Sequence, residues 1–254
     1  MNKTASTMYI SLILIGLLWP GVIMAQDKQW NITAESGMIL PGYNDVQIPP
    51  ESGTLISLKD DLDLPATAFL RLRLTWQWHS RHAFSLLYAP LSLTASGTLP
   101  TAVHFAGENF APQSQINATF RFNSYRLTYR YTLVNRPKFK LGIGFTAKIR
   151  DAEISLRDGL KEGKKTDVGF VPLLNLVIDW RWNPRWSLLL EADALAAPGG
   201  QGRAEDVALA LRYTLSPTWN LQAGYRLVEG GADVDTVYNF AWINYLFVGI
   251  GFSW

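Results

Sequence analysis

In Ala68-Phe69-Leu70-Arg71-Leu72-Arg73-Leu74-Thr75-Trp76-Gln77-Trp78-His79 every even position is apolar, and every odd position from Arg71 onward is polar. A period of two is the mark of extended chain, whose successive side chains point to opposite faces. Wound as a helix, the same residues would scatter arginine and leucine over every side. The run is also long. Soluble strands average about five or six residues, whereas a tilted strand that crosses a bilayer takes about 9–11.

The same rhythm recurs along the chain. Phe139, Leu141, Ile143, Phe145, Ala147 and Ile149 alternate with Lys140, Gly142, Gly144, Thr146, Lys148 and Arg150. Val207-Leu209-Leu211-Tyr213 alternates with Asp206-Ala208-Ala210-Arg212, and Trp219-Leu221-Ala223-Tyr225 with Asn220-Gln222-Gly224-Arg226. After residue 25 no apolar run reaches the 18 residues of a membrane helix, and no 3.6-residue period is sustained.

Composition agrees with a membrane-facing surface. Charged residues make up 17% of the chain, against about 25% in soluble domains. With 23 Lys+Arg against 21 Asp+Glu there is no basic excess or block for nucleic acid. The absence of cysteine excludes disulfides and thiolate metal sites.

Residues 1–25 read as a secretory signal: Lys3, the apolar stretch Met8–Trp19, the break at Pro20-Gly21, and Ala25 before a cut ahead of Gln26. Ile23 is larger than ideal for the −3 position, and an uncleaved anchor is the alternative. Without a following Cys, a lipid-anchored form is excluded. Residues 26–254 form the single remaining domain.

Turn residues divide that domain into hairpins. Short links fall at 80–81, 135–137, 183–185 and 216–218; longer or glycine-rich links fall at 41–66, 97–114, 157–166, 198–202 and 231–235. Short and long links alternate between ten expected strands, at about 30–40, 67–79, 83–96, 115–134, 139–156, 168–182, 186–197, 203–215, 219–230 and 236–254. The expected fold is all-β, a transmembrane antiparallel up-and-down β-barrel of ten strands, with eight as the alternative. Phe120 and Phe122 fall out of phase with Tyr125, Leu127 and Tyr129, which suggests a β-bulge near Asn123–Ser124.

Tryptophan placement tests the topology independently. Of the nine tryptophans after residue 25, Trp30, Trp76, Trp78, Trp180, Trp182, Trp186, Trp219 and Trp254 fall beside short links or termini, and Trp242 alone lies elsewhere. An indole suits the membrane–water interface, where its apolar body and its N–H are both satisfied. A soluble sandwich would have no reason to gather its tryptophans at one end.

The last strand then carries a resemblance. Trp254, Phe252, Ile250, Val248 and Leu246 alternate with Ser253, Gly251, Gly249, Phe247 and Tyr245. This resembles the C-terminal strand of bacterial outer-membrane β-barrel proteins, which ends in Phe or Trp. The resemblance implies a place in the outer membrane, contact with lipid bilayer and lipopolysaccharide, and recognition of the end strand by the barrel-assembly machinery. It identifies no subfamily.

The polar faces would line the barrel. They carry Arg71, Arg73, Arg126, Arg130, Lys140, Lys148, Arg150, Arg181, Arg212 and Arg226 against Glu35, Asp179, Glu191, Asp193 and Asp206. With Glu229 at the mouth, the candidate binding set is Arg71, Arg73, Arg126, Arg130, Arg150, Arg181, Glu191, Asp193, Asp206, Arg212, Arg226 and Glu229. Two readings stay open. Paired charges plug a narrow bore, leaving a structural or surface-binding role, or a basic lumen passes a small anionic solute.

Carboxylates crowd the long-loop side at Asp60, Asp61, Asp63, Asp151, Glu153, Asp158, Glu162 and Glu205. They read as an Arg-bridged rim rather than a calcium site, since EF-hand spacing is missing. Neither a metal nor a cofactor is implied. A lipid A or surface hydrolase is the third reading, with His104 near Ser96 and Glu108 as its only drawable centre; His79 and His82 flank a short turn. The residues favour a non-enzyme.

Overall fold

The computed structural model describes residues 29–197 and 201–254. The expected signal segment, 1–25, lies outside the described residues. The strands are β1 (Trp30–Gln47), β2 (Ile56–Ser57), β3 (Thr67–His79), β4 (His82–Ala89), β5 (Ser92–Thr98), β6 (Val103–Phe105), β7 (Glu108–Phe110), β8 (Gln115–Arg136), β9 (Phe139–Arg157), β10 (Glu162–Arg181), β11 (Trp186–Ala196), β12 (Gly202–Thr214), β13 (Trp219–Val234) and β14 (Val237–Ser253). Wall neighbours are antiparallel in the order β14-β13-β12-β11-β10-β9-β8-β4-β3-β1, and β14 pairs with β1 to close the ring. Closure runs from Asn31↔Ser253 to Gln47↔Tyr238. Because β4 and β5 both pair with β8 and are one strand broken at Pro90-Leu91, the wall has ten strands and not eight. Closure gives every wall strand two neighbours, which is what lipid demands of the backbone.

Outward positions form the apolar band: Leu70, Leu86, Leu127, Phe145, Leu209 and Val248 are each at least 44% exposed. At the short-turn end the tryptophans touch one another. Trp30 stacks between Trp76 at 5.8 Å and Trp254 at 6.4 Å, and Trp180 meets Trp182 at 6.0 Å.

Three expectations of local structure are corrected. The links at 157–166 and 231–235 are tight turns, since pairing continues to Arg157↔Glu162 and Val234↔Val237. Apolar alternation fades there because the strands leave the lipid, not because they end. Likewise β1 continues past residue 40, taking up Pro41 and Gly42 in an irregularity between Pro41 and Tyr43. A proline is tolerated at such a bulge.

The third concerns β8. Its register with β9 is continuous from Asn117↔Arg157 to Thr132↔Gly142, and the only shift lies between Thr132 and Val134. There is no bulge at 123–124. Phe120 and Phe122 share the inward face with Ser124 and Arg126; what changes is the interior they meet. Arg121 therefore points outward, where it bridges Asp151 at 3.2 Å and Glu153 at 3.0 Å.

That interior has two storeys. At the long-loop end, the 48–66 link and the β6–β7 hairpin fold over the mouth. Leu58, Phe105, Phe110, Ile116 and Leu156 are buried there in an apolar core. Below them the bore is filled by charge.

Candidate ligand-binding site

The charged layer is built from inward positions of facing strands. Asp206 on β12 receives Arg226 of the neighbouring β13 at 2.6 Å, Arg126 of β8 at 2.7 Å and Arg71 of β3 at 3.0 Å. Arg126 also reaches Asp193 at 2.9 Å, Arg226 reaches Glu35 at 3.0 Å, and Arg73 reaches Glu191 at 3.2 Å. Neutral groups finish the network. Thr146 and Asn175 donate to Asp193 at 2.9 and 2.7 Å, Gln222 donates to Glu35 at 2.9 Å, and Arg130 Nε donates to Asn175 Oδ1 at 2.9 Å. Taking an ion out of water costs several kcal/mol unless it is paired. Within this layer five guanidiniums (Arg71, Arg73, Arg126, Arg130, Arg226) face four carboxylates (Glu35, Glu191, Asp193, Asp206), so the charge is nearly balanced.

Two further inward cations, Lys148 and Arg150, lie higher. Between the charged layer and the long-loop mouth is a cavity of about 560 Å³, inside the usual range for small-molecule sites, roughly 300–1,000 Å³. Its walls include Phe120, Phe122, Ile154, Leu195, Val228 and Ile243, with Lys148, Arg150, Lys165 and Asp167 at one side. Lys148 is only 3% exposed. Its ammonium sits 4.7 Å from the centre of the Phe122 ring, and no carboxylate pairs with it among the described residues. Arg150, one inward position on, pairs with Asp167, and its Nε is buried without a partner. The arrangement is apolar room with a desolvated cation in its wall. Such a site suits an apolar molecule that carries negative charge.

The sequence-derived set separates accordingly. Arg71, Arg73, Arg126, Arg130, Glu191, Asp193, Asp206 and Arg226 are brought together in the charged layer. Arg150 is in the cavity wall. Arg212 stands apart with Asp179 at 3.2 Å, and the backbone N–H of Arg181 pairs with Lys138 beside a short turn. Glu229, which alternation sets on the face opposite Arg226, also borders the cavity together with Arg203, which it binds at 2.6 Å, and it accepts the Tyr43 hydroxyl at 2.5 Å. Lys148 belongs to the inward alternation of β9, but nothing in the sequence says that it lacks a carboxylate. Phe120, Phe122, Lys165 and Asp167 were not among the candidates, because their strand ends lose the apolar rhythm.

The acidic side is largely internally bridged. Arg121 joins Asp151 and Glu153, Lys164 meets Glu153 at 2.9 Å, and Asp61 accepts the Ser57 N–H at 2.8 Å. No group of three or more His, Asp or Glu side chains converges on a metal position among the described residues. His104 Nδ1 is 2.9 Å from Asn109 Oδ1, while Ser96 exchanges backbone hydrogen bonds with Asp63. His82 contacts the Tyr129 hydroxyl at 2.8 Å at the opposite end.

No family model and no curated protein matches the sequence. Solved structures do resemble the fold. The outer membrane protease OmpT from Escherichia coli aligns with a TM-score of 0.52 at 11% identity, over 92% of this chain and 99% of that one. Neisserial surface protein A aligns at 0.32 and 13% identity, over 89% and 97%. Ail of Yersinia pestis, in complex with a heparin analogue, aligns at 0.36 and 9%, over 89% and 99%. With OmpT, at 11% identity, it is the fold that is shared. A closed ten-stranded barrel with an outward apolar band and a tryptophan girdle belongs in a bilayer, and its fold is that of the bacterial outer-membrane β-barrel proteins.

Proposed function

We propose that this protein is a non-conducting outer-membrane binding barrel whose cavity takes a small apolar molecule bearing an anionic group. The observation that carries the reading is Lys148, buried in the wall of an apolar cavity with an aromatic ring but, among the described residues, no carboxylate against its ammonium. An anionic head group would supply the charge-assisted bond that the fold leaves unmade. The ion pairs that cross the bore below support a plugged lumen over a solute channel. His104, bonded to Asn109, lends no support to hydrolysis. Export by residues 1–25, insertion by the barrel-assembly machinery and contact with lipopolysaccharide belong to the same reading.

Dansyl-undecanoic acid and its methyl ester, titrated against the protein in phosphatidylcholine vesicles, test it. The acid is expected to bind saturably and at least tenfold more tightly than the ester, and Lys148→Met to abolish that preference while the barrel stays folded. Equal affinity for acid and ester overturns the ligand class. Ohmic steps of reproducible size in planar bilayers overturn the plugged lumen.

A further inference from the structure

Among the described residues the wall of the barrel is incompletely paired beside this cavity. Strand β10 runs for 20 residues and β11 for 11. The two pair only from Leu174↔Ala194 to Arg181↔Ser187. Above that point residues 162–173 of β10 pair with β9 alone among the described residues.

The cause is legible in the backbone. The Arg181 N–H donates to Lys138 O, on the β9 side of β10. Successive residues of a strand turn their N–H groups to opposite neighbours, so nine positions back Pro172 presents its nitrogen to β11. Continued register would set Pro172 against Ala196. Proline has no N–H to give, and in sheets it is confined to edges and bulges. The ladder ends there.

The notch opens into the cavity. Val171 and Pro172 on one side, and Leu195 and Ala197 on the other, border the same space as Lys148. Leu195 belongs to the inward face of β11 yet is 36% exposed. Phe170, whose side chain the alternation turns outward, also borders it and is 61% exposed. The level is that of the outer membrane interface. Phe170 pairs with the lipid-facing Ile149, whereas the next outward partner, Asp151, is charged.

We infer that the notch between β10 and β11 is a lateral entrance, through which an anionic single-chain amphiphile passes from the outer leaflet into the cavity. The inference rests on the ligand class proposed above. Lys148 is the ladder partner of Val171, at the edge of the notch, so the head group meets its cation at the threshold while the chain finds Phe120, Phe122 and Ile154 beyond. A volume of about 560 Å³ accommodates one chain and not a multiply acylated lipid.

Because the chain has no native cysteine, a Pro172→Cys/Ala196→Cys pair can be bridged by a short bis-maleimide. Loading is followed by stopped-flow fluorescence in phosphatidylcholine vesicles. One arm delivers dansyl-undecanoic acid pre-dissolved in the membrane, and the other adds water-soluble dansyl-glycine. Bridging is expected to slow the membrane arm at least tenfold and to leave the aqueous arm unchanged. Pro172→Val, which restores the donor without a bridge, is expected to slow the membrane arm several-fold. Unchanged membrane loading in both variants overturns the lateral route while leaving the binding site in place. Equal slowing of both arms shows a general mouth and also overturns it. If neither probe binds the unmodified protein, the ligand class itself fails, and this inference with it.

Discussion

Arg126 on β8 and Asp206 on β12 meet at 2.7 Å, although three wall strands separate them on one side of the ring and five on the other. The contact spans the bore. Both side chains are 3% exposed, and the same carboxylate also receives Arg71 and Arg226. Asp206 is therefore the group on which the charged layer is centred.

Its removal is expected to be costly. Asp206→Ala leaves three buried guanidiniums without their common partner, and breaking a buried ion pair from one side costs about 3–5 kcal/mol. Asp179→Ala, which releases only the half-buried Arg212, is expected to cost less than half of that. Urea unfolding in lipid vesicles, followed by tryptophan fluorescence, compares them, and equal midpoints would contradict a layer centred on Asp206.

The apolar cover over the mouth has a contact of its own to test. A Cβ at Gly163 on β10 would lie 2.5 Å from the Phe105 carbonyl oxygen and 3.2 Å from its ring. Gly163→Leu is expected to displace the β6–β7 hairpin and to make Phe105 and Phe110 sensitive to chymotrypsin, while the barrel keeps its heat-modifiable migration on gels. Resistance equal to the wild type would show that the hairpin is held elsewhere.

At the other end, Trp254 exchanges backbone hydrogen bonds with Trp30 at 3.0 and 3.1 Å and stacks on it, closing the ring. Trp219 is similarly exposed, at 43% against 50%, but opens β13 instead of following the closing strand β14. If the assembly machinery reads the terminal aromatic, Trp254→Ala lowers the amount of folded barrel in outer membranes several-fold and Trp219→Ala does not. Equal losses would reduce Trp254 to one member of the interfacial girdle.

The turn between β9 and β10 provides a pH dependence. Asp158 accepts the Lys161 N–H at 2.9 Å and the Leu160 N–H at 3.0 Å, and these donors hold its carboxyl below the ordinary aspartate value. A lowered folded-state value means that the turn gains stability above the unfolded value and loses it as pH falls through the folded one. The amide resonances of Leu160 and Lys161 are expected to titrate with a midpoint below 3.8. A midpoint at or above that value removes the argument.

Much of this was legible along the chain because lipid imposes its pattern one strand at a time. Leu70, Leu72 and Leu74 face hydrocarbon whatever strand lies beside them, so their alternation needs no knowledge of neighbours. Where β9, β10 and β13 leave the membrane that pressure ends. Strand and loop then look alike in sequence, which is why the paired ends at Arg157↔Glu162 and Val234↔Val237 carry no strand signal. Phe120 and Phe122 misled for a related reason: inward residues answer to the interior at their own height, and that interior changes from charged to apolar between Arg126 and Phe122.

The sequence by itself determined the β-barrel rhythm, the faces that meet lipid and the inward address of most of the charges, because these follow from period, turn chemistry and the interfacial preference of tryptophan; it left eight strands open beside ten. Only the tertiary structure decided the partners. Asp206 collects arginines from three strands, Lys148 is left with an aromatic ring, and β10 stands without β11 above Leu174. Those facts depend on which strands face one another across a closed ring, and on two neighbours of unequal length. No single strand carries that information.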